Sequence, residues 1–219
     1  MQRLGRRYVA VALLCAFEGA FAQDIGPSPP TITGTTSVST SRTVVGNTVF
    51  SLAGPASALI VTAGTLSVDA SAGPSPGPIS LTTVTGNALQ ASGGSINVLN
   101  GVGIQAGGGQ GMVASGAGST ISVLNGASIL TTGVGAGLAA IGGTIDATGV
   151  VMTSGAASNG QGAIADGGGT IRLHAGTSIT RGGASTFFGN AVGLGASGAG
   201  SLVTADALIP VTMTGPCCR

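Results

Sequence analysis

His174 is the single histidine of this 219-residue chain, and it stands two positions after Arg172, with Asp166 and, further back, Asp146 upstream. Histidine changes charge near neutral pH, so beside carboxylates it is the natural place to look for proton transfer. Acid–base catalysis also requires a second base, a nucleophile or a metal-ligand partner, and none accompanies His174 at a useful spacing. On a strand, residues 172 and 174 share one face. Asp146 holds the equivalent place to Arg172 in the preceding sequence repeat, so it faces Arg172 from a neighbouring strand, and the expectation is an exposed ion pair of little energetic value.

Three glycine motifs invite chemistry and decline it. Gly193-Leu194-Gly195-Ala196-Ser197-Gly198 has the spacing of a dinucleotide-binding loop, but no helix-forming sequence follows to receive a pyrophosphate. Gly73-Pro74-Ser75-Pro76-Gly77 has the spacing of a nucleophile elbow, yet its prolines forbid the strand-to-helix turn that would expose Ser75. Gly107-Gly108-Gly109-Gln110-Gly111 is similar to calcium-binding glycine repeats without the aspartate that would coordinate the ion. No catalytic, cofactor or metal site is assigned, and the expectation is a chain that is not an enzyme.

Composition narrows the function classes further. Gly, Ala, Ser and Thr make up more than half of the chain, charged residues are 6% and aromatics 3%. So few charges exclude a basic nucleic-acid binder and an acidic disordered tail. Mean hydropathy is +0.55, and aliphatic residues recur throughout, so the chain has a face to bury. With five Phe, one Tyr and no Trp, the core this predicts is thin and repetitive.

Residues 1–22 read as a secretory signal peptide. Arg3, Arg6 and Arg7 precede an apolar run from Tyr8 to Phe17, and Ala20 and Ala22 occupy the −3 and −1 positions before Gln23. That run falls well short of the roughly 20 residues needed to span a bilayer. Beyond Ala22 the chain carries Arg42, Arg172, Arg181 and Arg219 against Asp24, Asp69, Asp146, Asp166 and Asp206. Cys217 and Cys218 are adjacent at the end and cannot close a useful loop.

Internal repetition is the strongest signal. Ser95-Ile96-Asn97-Val98-Leu99-Asn100-Gly101 returns further along as Thr120-Ile121-Ser122-Val123-Leu124-Asn125-Gly126. Anchors at Leu66, Ile96, Ile121, Ile145, Ile171 and Leu202 recur at about 25-residue intervals in the middle of the series, with longer steps at its two ends. Each unit holds an apolar segment before the anchor (Leu59, Leu89, Val113, Leu138, Ile164, Leu194) and one after it (Ile79, Ile104, Ile129, Met152, Ile179, Val211). Aliphatics alternate with Ser, Thr, Asn or Asp inside each segment, the period of a strand with one buried face. Glycines punctuate the segments, as corners require.

Three strands and three corners per unit cannot bury an apolar face alone, whereas stacked units bury a continuous column. The expected fold is all-β: a right-handed parallel β-helix of about six coils of ~25 residues, with three short strands per coil. The anchors form a core ladder, Ser and Thr lie outside, and Asn100 sits over Asn125 at a corner. From Ala70 to Ile145 no Asp, Glu, Lys, Arg or His occurs. A compact globular domain needs surface charge there; a coil stack can be clothed in hydroxyl and amide ladders. Residues 23–45, with Pro27, Pro29 and Pro30, read as a lead-in, 46–215 as the repeats with Val44-Val45 and Val49-Phe50 in a first capping coil, and 216–219 as an irregular tail. The stretch Ala72 to Pro78 is a loop projecting from a corner.

The phrases Gly137-Leu138-Ala139-Ala140-Ile141-Gly142-Gly143-Thr144-Ile145 and Val192-Gly193-Leu194-Gly195-Ala196-Ser197-Gly198-Ala199-Gly200-Ser201-Leu202-Val203 resemble the pertactin-like passenger region of classical (type V) bacterial autotransporters, over about residues 55–215. The resemblance implies export to the periplasm, passage through an outer-membrane translocator barrel, and display on the cell surface as an adhesin-like factor with a host or cell-surface ligand. The chain departs from the pattern in having no C-terminal barrel after the repeats. The tail Pro216-Cys217-Cys218-Arg219 reads as a truncated or frameshifted end, and an unpaired last coil predicts end-to-end self-association. The alternative is a secreted β-helix enzyme acting on polysaccharide, which the shortage of clustered carboxylates disfavours. An ice-binding solenoid needs Thr-x-Thr in every coil; here Thr83/Thr85 and Thr212/Thr214 lack counterparts between them.

Overall fold

Short aliphatic–polar alternations bounded by glycine corners fold as their length requires: each becomes a strand too short to stand alone, and each finds its partner one repeat away. The computed structural model describes residues 24–26, 31–155, 160–182 and 193–213. The signal-peptide residues Ala20, Ala22 and Gln23 and the tail 216–219 lie outside the described residues.

The described chain winds through seven coils. The first comprises β1 (Thr36–Val38), β2 (Arg42–Val45) and β3 (Val49–Leu52); the second β4 (Leu59–Val61), β5 (Thr65–Asp69) and β6 (Ile79–Thr83). The third holds β7 (Leu89–Ala91), β8 (Ser95–Asn100) and β9 (Val102–Ala106); the fourth β10 (Met112–Ser115), β11 (Thr120–Val123) and β12 (Ala127–Thr131). β13 (Leu138–Ile141), β14 (Thr144–Ala147) and β15 (Val150–Ser154) make the fifth, and β16 (Ala163–Asp166), β17 (Thr170–Leu173) and β18 (Ser178–Arg181) the sixth. The seventh is β19 (Leu194–Ser197), β20 (Leu202–Ala205) and β21 (Val211–Met213).

Every third strand joins the same sheet, giving three parallel sheets of seven strands that run the length of a right-handed β-helix. The first coil begins at Thr36, within the Pro-rich lead-in, and Ile25 and Ile32 bridge to its Val44 and Phe50.

The interior is a set of side-chain ladders. In the second sheet Leu66, Ile96, Ile121, Ile145 and Ile171 stack in register, each fully buried. Two residues on, Val44, Val68, Val98, Val123, Ala147, Leu173 and Ala205 form a parallel row. The third sheet stacks Phe50, Leu81, Ile104, Ile129, Met152, Ile179 and Val211.

Leu202 departs from the ladder expected of it. It pairs with Thr170, while Val203 stands on Ile171, so Leu202 points outward and is 50% exposed. The reason is the two-residue period: Val203 and Ala205 are the inward pair that flanks outward Thr204, and a one-residue change of register reverses every side chain. Val113 and Ile164 lie one position off in the same way, because Met112 and Ala163 are the residues in register with Leu138.

Hydroxyls and amides clothe the outside of the second sheet. Thr65, Ser95, Thr120, Thr144 and Thr170 form one outer row, and the Thr120 hydroxyl donates to Ser95 Oγ at 2.8 Å. At the corner that follows, Asn125 Nδ2 donates to Asn100 Oδ1 at 3.0 Å, and Asn100 Nδ2 donates to Asp69 Oδ1 at 2.9 Å. The Pro-rich segment between β5 and β6 is an irregular loop held by Asn47, whose amide donates to the Ser75 carbonyl at 2.9 Å.

Candidate functional site

Asp146, Arg172, His174 and Asp206 gather on the outer face of the second sheet near the last coils. Asp146 on β14 and Arg172 on β17 are register partners, and Arg172 Nη1 donates to Asp146 Oδ2 at 3.3 Å. Both side chains are largely open to water, 53% for Arg172 and 39% for Asp146, so screening leaves this pair weak. His174 follows β17 and returns its ring to the same side, with Nε2 at 3.4 Å from the other Asp146 oxygen.

Asp206 completes the cluster, and nothing periodic in the sequence points to it. It follows β20, its backbone N–H donates to the Leu173 carbonyl at 3.2 Å, and its Oδ2 lies 2.5 Å from His174 Nδ1. His174 is thereby held between a carboxylate of the coil below and one of the coil above. The hydrogen bond that protonated His174 donates to Asp206 is the main reason the histidine pKa is raised, with partial desolvation opposing it and Asp146 adding to it.

Asp166 stands apart. Its side chain accepts from the Gly167 N–H at 2.8 Å, closing a local turn at the end of β16.

This geometry supports little chemistry. Both imidazole nitrogens already face carboxylates, so neither is available to take a proton from a substrate. Nor can the two aspartates chelate one ion through His174, because they approach opposite edges of the ring. Among the described residues no group of three or more His, Cys, Asp or Glu is placed to hold a metal ion.

The glycine motifs resolve as parts of the solenoid. Gly195 and Ser197 lie within β19 and Gly193 just precedes it, so no helix N-terminus is presented to a phosphate. Ser75 sits in the loop fastened by Asn47. Gly107 and Gly109 form a corner packed on the coil below.

Among the described residues one charged side chain points inward. Arg181 occupies the row Leu52, Thr83, Ala106, Thr131, Ser154, Arg181 at the edge of the third sheet, where it is 2% exposed. Burial lowers the pKa of its guanidinium from the usual value. The sequence signal is slight: Arg181 aligns with Thr131 and Ser154 only once the register is known.

No family model, curated protein or solved structure matches the chain. The geometry therefore carries the functional reading: a regular, parallel β-solenoid with a repetitive outer surface.

Proposed function

We propose that this chain is a non-enzymatic, surface-exposed passenger segment of the pertactin-like autotransporter type, adhesin-like in its work, which offers a long repetitive contact or spacer surface. The observation that carries the reading is the outer face of the second sheet, where Thr65, Ser95, Thr120 and Thr144 repeat coil after coil through a stretch almost without charged side chains. Such a surface presents hydroxyls at the inter-coil distance of about 4.8 Å, and it suits multivalent weak contact better than turnover. The cluster of charged groups among the described residues has both nitrogens of its histidine facing carboxylates.

On this reading residues 1–22 direct export, cleavage follows Ala22, and the periplasmic chain reaches the cell surface when an outer-membrane translocator barrel is supplied. Its ligand is on a host or neighbouring cell, and end-to-end contact between copies is a second mode of association.

The test is fusion of the chain to a translocator barrel in a Gram-negative host, followed by protease shaving and antibody labelling of intact cells. The expected result is a surface-exposed product whose periplasmic form begins at Gln23 and which increases cell binding to a host-cell layer. Retention inside the cell, or display with no gain in binding, would overturn the proposal. Polysaccharide cleavage lost in His174→Ala would favour the enzyme alternative instead.

A further inference from the structure

We propose that Asp206 and His174 form a proton-operated clip that fastens the seventh coil to the rest of the solenoid, tight in acid and loose above neutrality. The seventh coil is the one that needs a fastening. Its strands β19 and β20 are mostly exposed, and it meets the buried core that runs from Ile25 to Ile179 only through the partly buried Val203 and Ile209. Among the described residues it packs on one neighbouring coil, and in a stacked-repeat protein a unit with few packed neighbours opens at low cost. Among its described residues, 193–213, Asp206 is the one charged side chain.

The chemistry follows from counting donors. Protonated imidazole carries two N–H groups, and here they point at two carboxylates: Nδ1 to Asp206 Oδ2 at 2.5 Å and Nε2 to Asp146 Oδ1 at 3.4 Å. Neutral imidazole carries one N–H, so a lone pair must then face one of the two carboxylates. Arg172, the other charged group on this face, engages the remaining oxygen of Asp146 and does not approach as a partner of Asp206. Three successive coils are thus joined through one ring, and the ring satisfies both neighbours only when charged.

The sign is fixed by the direction of the shift. His174 has a pKa above its ordinary 6.5 in the folded chain, so the clip is fully present below that value. It is lost as pH rises through the folded pKa. The consequence is a seventh coil that docks firmly in acidic surroundings and loosens in alkaline ones, while the first four coils, which hold no part of the clip, do not respond.

Amide hydrogen exchange on the intact chain, expressed as protection factors at pH 5.5 and 8.5, reads this directly, with the His174 ring followed by NMR. Protection in β20 should be about two- to fivefold greater at pH 5.5, the range of a partly exposed ion pair, while β8 and β11, which hold no part of the clip, stay level. Asp206→Asn and His174→Gln should each abolish the difference. Should either variant fold poorly, the wild-type chain in about 1 M salt, where the Debye length is about 3 Å, should show the difference reduced. Equal protection of β20 at both pH values, or a difference that survives Asp206→Asn or high salt undiminished, overturns the clip.

Discussion

Gly133 lies so close over Gly107 that a Cβ on Gly133 would run into the Gly107 carbonyl oxygen, and Gly135 stands over Gly109 in the same way. The contacts continue down the stack, since Gly107 rests on the Val84 carbonyl and Gly109 on that of Gly86. None of these four glycines has a positive φ. The corner between the third and first sheets thus demands glycine because backbones touch there, while the corner after the second sheet demands it for conformation, with Gly126 at φ 79° and Gly149 at φ 67°.

Gly133→Ala should accordingly destabilise the solenoid by about 1–3 kcal/mol, the cost of forcing an extra methyl into packed backbone. Gly116→Ala is the comparison: Gly116 has φ 82° but open space around its missing Cβ, so the cost is conformational, about 1 kcal/mol. Urea midpoints of the two variants test the order, and a Gly133→Ala midpoint equal to wild type would mean the corner is looser than its contacts imply.

The ladder assignment makes its own contrast. Ile121 is fully buried between Ile96 and Ile145, whereas Leu202 points out of the last coil. Ile121→Ala should cost about 2–5 kcal/mol, and Leu202→Ala should change stability by no more than about 0.5 kcal/mol. Thermal unfolding followed by far-ultraviolet circular dichroism distinguishes them, and the wild-type spectrum should be β-rich.

What is legible in the sequence is whatever recurs with both the strand period and the coil period. Ile96, Ile121, Ile145 and Ile171 announce the stack, Asn100 and Asn125 announce a corner ladder, and Asp146 with Arg172 announce an ion pair, because equal positions in successive repeats become neighbours. Features without a repeat stay hidden. Asp206 reaches His174 only across the longest step between anchors, so no counting leads to it. Leu202 joins the anchor series by analogy with Ile171, although the inward pair is Val203 and Ala205. The glycines of the corners announce turns, but whether a glycine serves φ or close approach depends on the coil beneath it.

Asn100 links its corner to the coil below through Asp69. Hydrogen bonds from Asn100 first, and then from Ser71, lower the Asp69 pKa from its ordinary value. A depressed carboxylate pKa gives stability present above the unfolded value and lost as pH falls through the folded one. Asn100→Ala should raise the Asp69 pKa toward 3.8, measurable by carboxyl NMR, and cost about 0.5–1.5 kcal/mol at neutral pH for the broken ladder. An unmoved Asp69 titration would show that Ser71 alone holds the carboxylate.

Asp146 faces two cations of unequal consequence. Its contact with Arg172 spans 3.3 Å between two well-exposed side chains, and salt and water weaken it. A double-mutant cycle of Asp146→Asn and Arg172→Gln should therefore return a coupling of about 0.2–0.5 kcal/mol, at the low end for exposed pairs. The same cycle at about 1 M salt should return a value close to zero. A coupling above about 1 kcal/mol would mean that Arg172 acts through His174 as well, since removing the guanidinium would free Asp146 to turn wholly toward the ring. Repeating the cycle above the His174 titration separates those cases: a direct Arg172 contact keeps its coupling there, and one routed through the imidazolium does not.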